Sequence, residues 1–175
     1  MMTCRRMRKL IPDHSEADEP VSGGPSQSDM RIFAGLLLAR REYAVLELQA
    51  RLLKKWAGQE GIAPRVAAFI ATLQEEGALS DERFAASFIR SRCLRYQGPL
   101  KIQAELRQRQ VPERIIESQL QNSAEDWIPL ASSWLSRQHS GALDFAGRAK
   151  YYRRLMNRGF SHQQAMAALQ GFSPQ

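Results

Sequence analysis

The side chains best suited to chemistry in this sequence are cations. Between Arg83 and Arg114 there are eight (Arg83, Arg90, Arg92, Arg95, Lys101, Arg107, Arg109 and Arg114) against two acids, Glu105 and Glu113. That excess of six accounts for nearly all of the formal net charge of +7. A second group, Arg148, Lys150, Arg153, Arg154 and Arg158, has no acid inside it. Guanidinium and ammonium groups that lack carboxylate neighbours are available to phosphates or to an acidic protein surface. The candidate contact residues are therefore Arg90, Arg92, Arg95, Lys101, Arg107, Arg109, Arg148, Lys150, Arg153, Arg154 and Arg158. A charge run is ordinarily a solvated face. Here the cations recur at matching places in two stretches, which favours a stripe able to neutralise several phosphates in a salt-dependent way.

Catalytic and metal-binding patterns are missing. His14, His139 and His162 are scattered, and neither HExxH nor CxxC spacing occurs. No GxxxxGK[ST] or GxGxxG loop is available to cradle a phosphate. The pairs Glu75-Glu76 and Asp81-Glu82 flank Gly77 and suit helix-end electrostatics better than acid–base work. Cys93 lies one turn from Ile89 among arginines and has no partner histidine nearby in sequence, so packing is its expected role. Phe84, Phe88, Trp127 and Trp134 fall on apolar faces and are expected in the core. Tyr96, Tyr151 and Tyr152 lie beside cations, where stacking on bases is the competing role. No enzyme and no cofactor is expected.

The elements that must position these cations all read as helices. Asp81 to Val111 holds two amphipathic patterns hinged at Gly98-Pro99. The first has Ser80 as N-cap and Phe84, Phe88 and Ile89 on one face; the second starts at Pro99 and carries Ile102 and Leu106. Upstream lie three stripes: Ile32, Phe33, Leu36 and Leu37; then Leu48 and Leu52; then Val66, Phe69, Ile70 and Leu73, closed by Gly77. Downstream, Pro112 starts a helix with Ile115, Ile116 and Leu120, and Ser123 with Asp126 resembles a capping box ahead of Trp127, Leu130, Ala131 and Trp134. Tyr151, Tyr152, Leu155 and Met156 precede Gly159, and Ser161 with Gln164 caps a last helix. Sustained β-alternation is absent, so the chain reads as all-α.

Nine helices invite a search for a repeat. An offset of 49 pairs Gly98 with Gly147, Lys101 with Lys150, Ile102 with Tyr151 and Leu106 with Leu155. It also pairs Arg109 with Arg158, Val111 with Phe160 and Leu120 with Leu169. An offset of 54 brings in Leu48 and Leu52, with a loop from Trp56 to Ile62 as an insertion. The expected organisation is a tail over 1–28 and three-helix repeats over 29–79, 80–122 and 123–172, forming an elongated, curved array.

The bulk composition agrees with such an array. A 43% apolar fraction and 25% charged fraction are those of a globular protein, and a pI near 9.9 points to nucleic acid or a nucleoprotein as partner. Two distant cysteines argue against a disulfide framework and for a reducing, cytoplasmic home. The basic start MMTCRRMRK lacks a following apolar run, and no stretch approaches the ~20 apolar residues that span a bilayer. No membrane association is expected, and a monomer is the default.

The run Gly77-Ala78-Leu79-Ser80-Asp81-Glu82-Arg83-Phe84-Ala85-Ala86-Ser87-Phe88-Ile89-Arg90-Ser91-Arg92, followed by Gly98-Pro99-Leu100-Lys101-Ile102-Gln103-Ala104-Glu105-Leu106, resembles the central signature of the RecX family. Glu47-Leu48-Gln49-Ala50-Arg51-Leu52 is similar to the family's first-unit motif, and Lys150 to Phe160 to its third-unit basic helix and Gly-aromatic exit. The likeness covers about residues 32–170, with departures at Ala44, where serine is common, and Ala78, where an aromatic is common. The resemblance implies tandem three-helix units. It also implies binding along the groove of RecA filaments on single-stranded DNA, with inhibition of filament extension, strand exchange, ATP hydrolysis and coprotease activity. It transfers no catalytic residue. The alternative is a stand-alone DNA-binding helical-repeat protein acting through the same cations.

Overall fold

The computed structural model describes residues 24–123 and 126–172, and all regular structure among them is helical. The helices are α1 (Gln27–Leu38), α2 (Val45–Lys55), α3 (Ile62–Glu75), α4 (Asp81–Cys93), α5 (Pro99–Gln108), α6 (Glu113–Gln121), α7 (Trp127–Gln138), α8 (Phe145–Asn157) and α9 (His162–Gln170). They fold as three three-helix units, each with its own buried cluster. Leu48, Leu52, Val66 and Phe69 centre the first; Phe84, Ile89, Ile102, Leu106 and Ile116 the second; Trp134, Leu135, Leu155, Phe160 and Leu169 the third. Burying each such side chain contributes about 1.5–3 kcal/mol.

The offset of 49 describes real equivalences. Ile102, Leu106 and Val111 are buried in the second unit, as Tyr151, Leu155 and Phe160 are in the third. The helix ends match as well. Val111 donates its N–H to the Leu106 carbonyl at 3.2 Å, and Phe160 donates to Leu155 at 3.2 Å. Between them Gln110 (φ 60°) and Gly159 (φ 88°) both take the left-handed conformation that ends a helix. Gly98 and Gly147 are less alike. Gly98 is the N-cap of α5, whereas Gly147 lies inside the first turn of α8, capped by Asp144.

Several local readings hold. Ser80 accepts from the Arg83 N–H, Pro99 opens α5, and Ser161 with Gln164 forms a full capping box. Others need correction. α1 begins at Gln27 with a capping box from Ser26 and Asp29, two residues inside the stretch read as tail, and residues 1–23 lie outside the described part. Its buried face is Met30 and Ala34, with Phe33 and Leu37 packed against the same core as expected; Ile32 and Leu36 are each 62% exposed. α7 is capped by Asp126 alone, and the Ser123 hydroxyl turns back to the Leu120 carbonyl.

The seams between units follow from helix ends that lack partners. Ala44, at the N-cap of α2, has no side chain to accept an N–H. Asp81 of α4 does so from the next unit, at 2.9 Å from the Val45 nitrogen. Arg83 completes this first seam, donating to the carbonyls of Gly77 and Ala78 and pairing with Glu42 at 3.2 Å. The second seam is made by the backbone itself. Gly98 and Leu100, at the start of α5, donate N–H groups to the carbonyls of Arg158 and Gly159 at the end of α8, at 2.8 and 3.0 Å. A positive helix end thus meets a negative one.

Candidate nucleic-acid or acidic-partner interface

The eleven candidate cations divide by what already holds them. Arg107 is fastened to Glu113 through Nε at 2.7 Å, and Arg92 pairs with Glu105 at 2.8 Å. Arg109 lies 3.6 Å from Glu47, which also takes Arg41 at 2.6 Å. Burial alone would raise the Glu47 carboxyl; the hydrogen bond from Arg41 and the charges of Arg41, Arg109 and Arg51 outweigh it, and its pKa lies below the ordinary value.

Arg158 serves the fold. Its guanidinium reaches the Arg95 and Tyr96 carbonyls at 2.9 and 3.1 Å and lies 4.6 Å from the Trp134 ring centre. It thereby caps the end of α4 from the third unit, and burial pulls its pKa below the ordinary arginine value. Arg148 donates to the Leu169 carbonyl at 2.9 Å, tying α8 to α9. Spacing alone does not separate these two inward uses from outward ones.

Arg90, Arg95, Lys101, Lys150, Arg153 and Arg154 are exposed. Lys150 and Arg154 flank the Tyr151 ring at 5.7 and 5.6 Å, cation–π contacts worth about 0.5–1 kcal/mol each when exposed. Lys101 packs its backbone against Gly159, so a second-unit cation stands beside the end of the third unit's basic helix. Tyr151 itself is buried, its hydroxyl donating to the Gln138 carbonyl at 3.2 Å, which removes it from any base-stacking surface. Tyr152 pairs with His162 at 2.9 Å, and Tyr96 accepts from Arg137 at 2.7 Å.

One cleft gathers several of these groups. Arg92, Arg95 and Arg109 line a hollow of about 390 Å³ together with Arg41, Glu42, Phe84, Ser87, Phe88 and Ser91. The Phe88 ring is part of its wall, with the Arg92 and Arg109 guanidinium carbons 4.4 and 5.1 Å from the ring centre. Arg41 comes from the turn between α1 and α2 and stands outside the cation-rich stretches, so counting charge along the chain misses it. Its signal was Tyr43 two residues on, over whose ring it lies at 3.7 Å. Cys93 is buried in the second core, as packing requires.

Comparison with known proteins places this architecture. The family model for the second three-helix domain of RecX matches residues 80–120. Regulatory protein RecX of Chromohalobacter salexigens is 41% identical over 135 residues, covering 76% of this chain and 86% of the relative. This chain belongs to the RecX family. Regulatory protein RecX of Halorhodospira halophila is 36% identical over 148 residues, covering 83% and 89% of the two chains. The crystal structure of RecX from Lactobacillus salivarius superposes with a TM-score of 0.69 over 83% of this chain and 96% of that one, at 16% identity, a likeness of fold. RecX proteins are named as regulators, and no helix among the described residues here is long and apolar enough to cross a membrane.

Proposed function

We propose that this RecX-family chain is a non-catalytic negative regulator of RecA. It binds along the groove of RecA filaments on single-stranded DNA and opposes extension, strand exchange, ATP hydrolysis and coprotease activity. The observation that carries the reading is the placement of outward cations at repeat-equivalent helix positions, Lys101 with Lys150, in a chain of this family. With units taken at 29–79, 80–122 and 123–172, the second and third present Arg90, Arg95, Lys101, Lys150, Arg153 and Arg154 to phosphates and filament carboxylates. Bound across adjacent RecA protomers, a monomer of this shape obstructs the movement or partner entry the filament needs.

The test is RecA's DNA-dependent ATPase in the presence of the purified protein. Charge reversal at Lys101, Lys150, Arg153 and Arg154 together removes inhibition while helix content by circular dichroism stays unchanged. These four are the right targets because none is ion-paired to a carboxylate among the described residues, so their reversal breaks no salt bridge and costs only the exposed contacts of Lys150 and Arg154 with the Tyr151 ring. Undiminished inhibition by the quadruple variant rejects the assignment of these cations. Tight DNA binding with no effect on RecA favours the stand-alone DNA-binding reading.

A further inference from the structure

The cleft at the first seam has a composition that a plain joint between two units does not need. Ser87 and Ser91 line it on α4, one helical turn of about 5.4 Å apart, and Arg95 lines it from the turn that follows the helix. Arg41, from the first unit, and Arg109, from the end of α5, line the same hollow. The charged groups around the hollow, Arg83 included, are five guanidiniums (Arg41, Arg83, Arg92, Arg95 and Arg109) and three carboxylates (Glu42, Glu47 and Glu105). The carboxylates are all engaged: Glu47 by Arg41 and Arg109, Glu105 by Arg92, and Glu42 by Arg83. Arg95 has no carboxylate partner among the described residues, and neither serine hydroxyl takes part in a hydrogen bond among them. Each guanidinium also carries more donors than one carboxylate can use. The hollow therefore holds a surplus of positive charge and of donors.

We propose that this cleft seats the phosphodiester backbone of a single-stranded nucleic acid, with Arg95, Arg41, Ser87 and Ser91 as its ligands. The proposal rests on the nucleic-acid side of the function given above and adds the location and the groups. A phosphodiester fits better than a base or a carboxylate. The Phe88 face is already covered by Arg92 and Arg109, which leaves it closed to a base. The row of two hydroxyls on α4 and the Arg95 guanidinium just past its end suits successive phosphates of one strand and exceeds what a single carboxylate engages. Since Arg41 belongs to the first unit and the row to the second, the seat is complete only when the two units are docked.

Fluorescence anisotropy of a labelled oligo(dT) with the full-length chain, over a range of salt, tests this. Arg95→Ala and Arg41→Ala each weaken binding roughly five- to tenfold and lower the salt dependence by about one ion, whereas Lys54→Ala, an equal charge change at an exposed α2 position, does neither. Arg95→Lys keeps most of the affinity, and Ser91→Ala weakens it about twofold without altering the salt dependence. The proposal is overturned if the wild type binds no oligo(dT), or if the Arg95 and Arg41 variants match Lys54→Ala. It is equally overturned if those variants lose affinity for polyglutamate and not for oligo(dT). RecA inhibition is read separately: variants that bind DNA like the wild type while inhibition persists sink the seat and spare the regulatory reading.

Discussion

Asp81 shows how one side chain can serve the helix it opens and also the helix of another unit. It sits in the first turn of α4, where the dipole favours its charge, and accepts the Val45 N–H of α2. Burial is the largest influence on it and raises its pKa, with the Val45 hydrogen bond opposing and Glu82 adding to the rise. The folded protein therefore holds this proton to a higher pH than the unfolded chain does. The contribution is fully present below the ordinary carboxyl value of about 3.9 and is lost as pH climbs through the raised folded value. Asp81→Asn keeps an acceptor oxygen and removes the titration. At pH 7 this variant should be at least as stable as the wild type, and its advantage should shrink as the pH is lowered, measured by urea melts at several pH values. Asp81→Ala should fall about 1 kcal/mol below Asp81→Asn at all of them, because the α2 cap is gone. Ala44 told the reader of the sequence that α2 lacks a cap; that Asp81 supplies it depends on a contact across 36 residues, which no local pattern contains. The same limit hid Arg41, whose importance comes from where the turn after α1 lands.

Among the elements, the α5 and α8 ends give a matched comparison. Gln110 and Gly159 occupy equivalent left-handed positions, and only one is a glycine. Gln110→Gly should stabilise the chain by up to ~1 kcal/mol, since a non-glycine residue is strained there. Gly159→Ala should do the opposite and by more. A β-carbon at that position would stand 2.3 Å from the Lys101 β-carbon as well as adopting φ 88°, so a loss of roughly 2–4 kcal/mol in a urea melt is expected. The equivalence was legible because α5 and α8 each carry a narrow apolar stripe between charged flanks, which fixes the register. α1 was not legible in the same way. Met30, Ile32, Phe33, Ala34, Leu36, Leu37 and Leu38 surround it with apolar side chains, and periodicity cannot choose a face when every face qualifies. At α7 two acceptors competed for the cap, and Asp126, nearer the first turn, took it.

For the molecule as a whole, the two seams differ in kind. The first is held by side chains (Asp81, Arg83 and the Arg109–Glu47 pair). The second uses backbone N–H and carbonyl groups, with Leu130 packing against both neighbouring cores and Arg158 spanning from the third unit to the end of α4. Arg158→Ala should lower thermal stability by about 2–3 kcal/mol, since it strips the Arg95 and Tyr96 carbonyls of a charged donor and uncovers Trp134. The repeat and the all-α class followed from pattern alone, whereas the sorting of cations into outward and inward required knowing which helix ends meet. Dissection of the gene makes the difference between seams practical. Cutting between α3 and α4 exposes groups that water can satisfy, so a fragment 80–172 should be recovered as a single cooperative piece. Cutting between α6 and α7 instead uncovers Leu130 and Tyr96, which pack across this seam, and the Gly98 surface shaped to the Gly159–Phe160 backbone. Two halves separated there should be insoluble or unfolded apart, and co-expressed should reassemble as a split protein whose recovery reports on that junction.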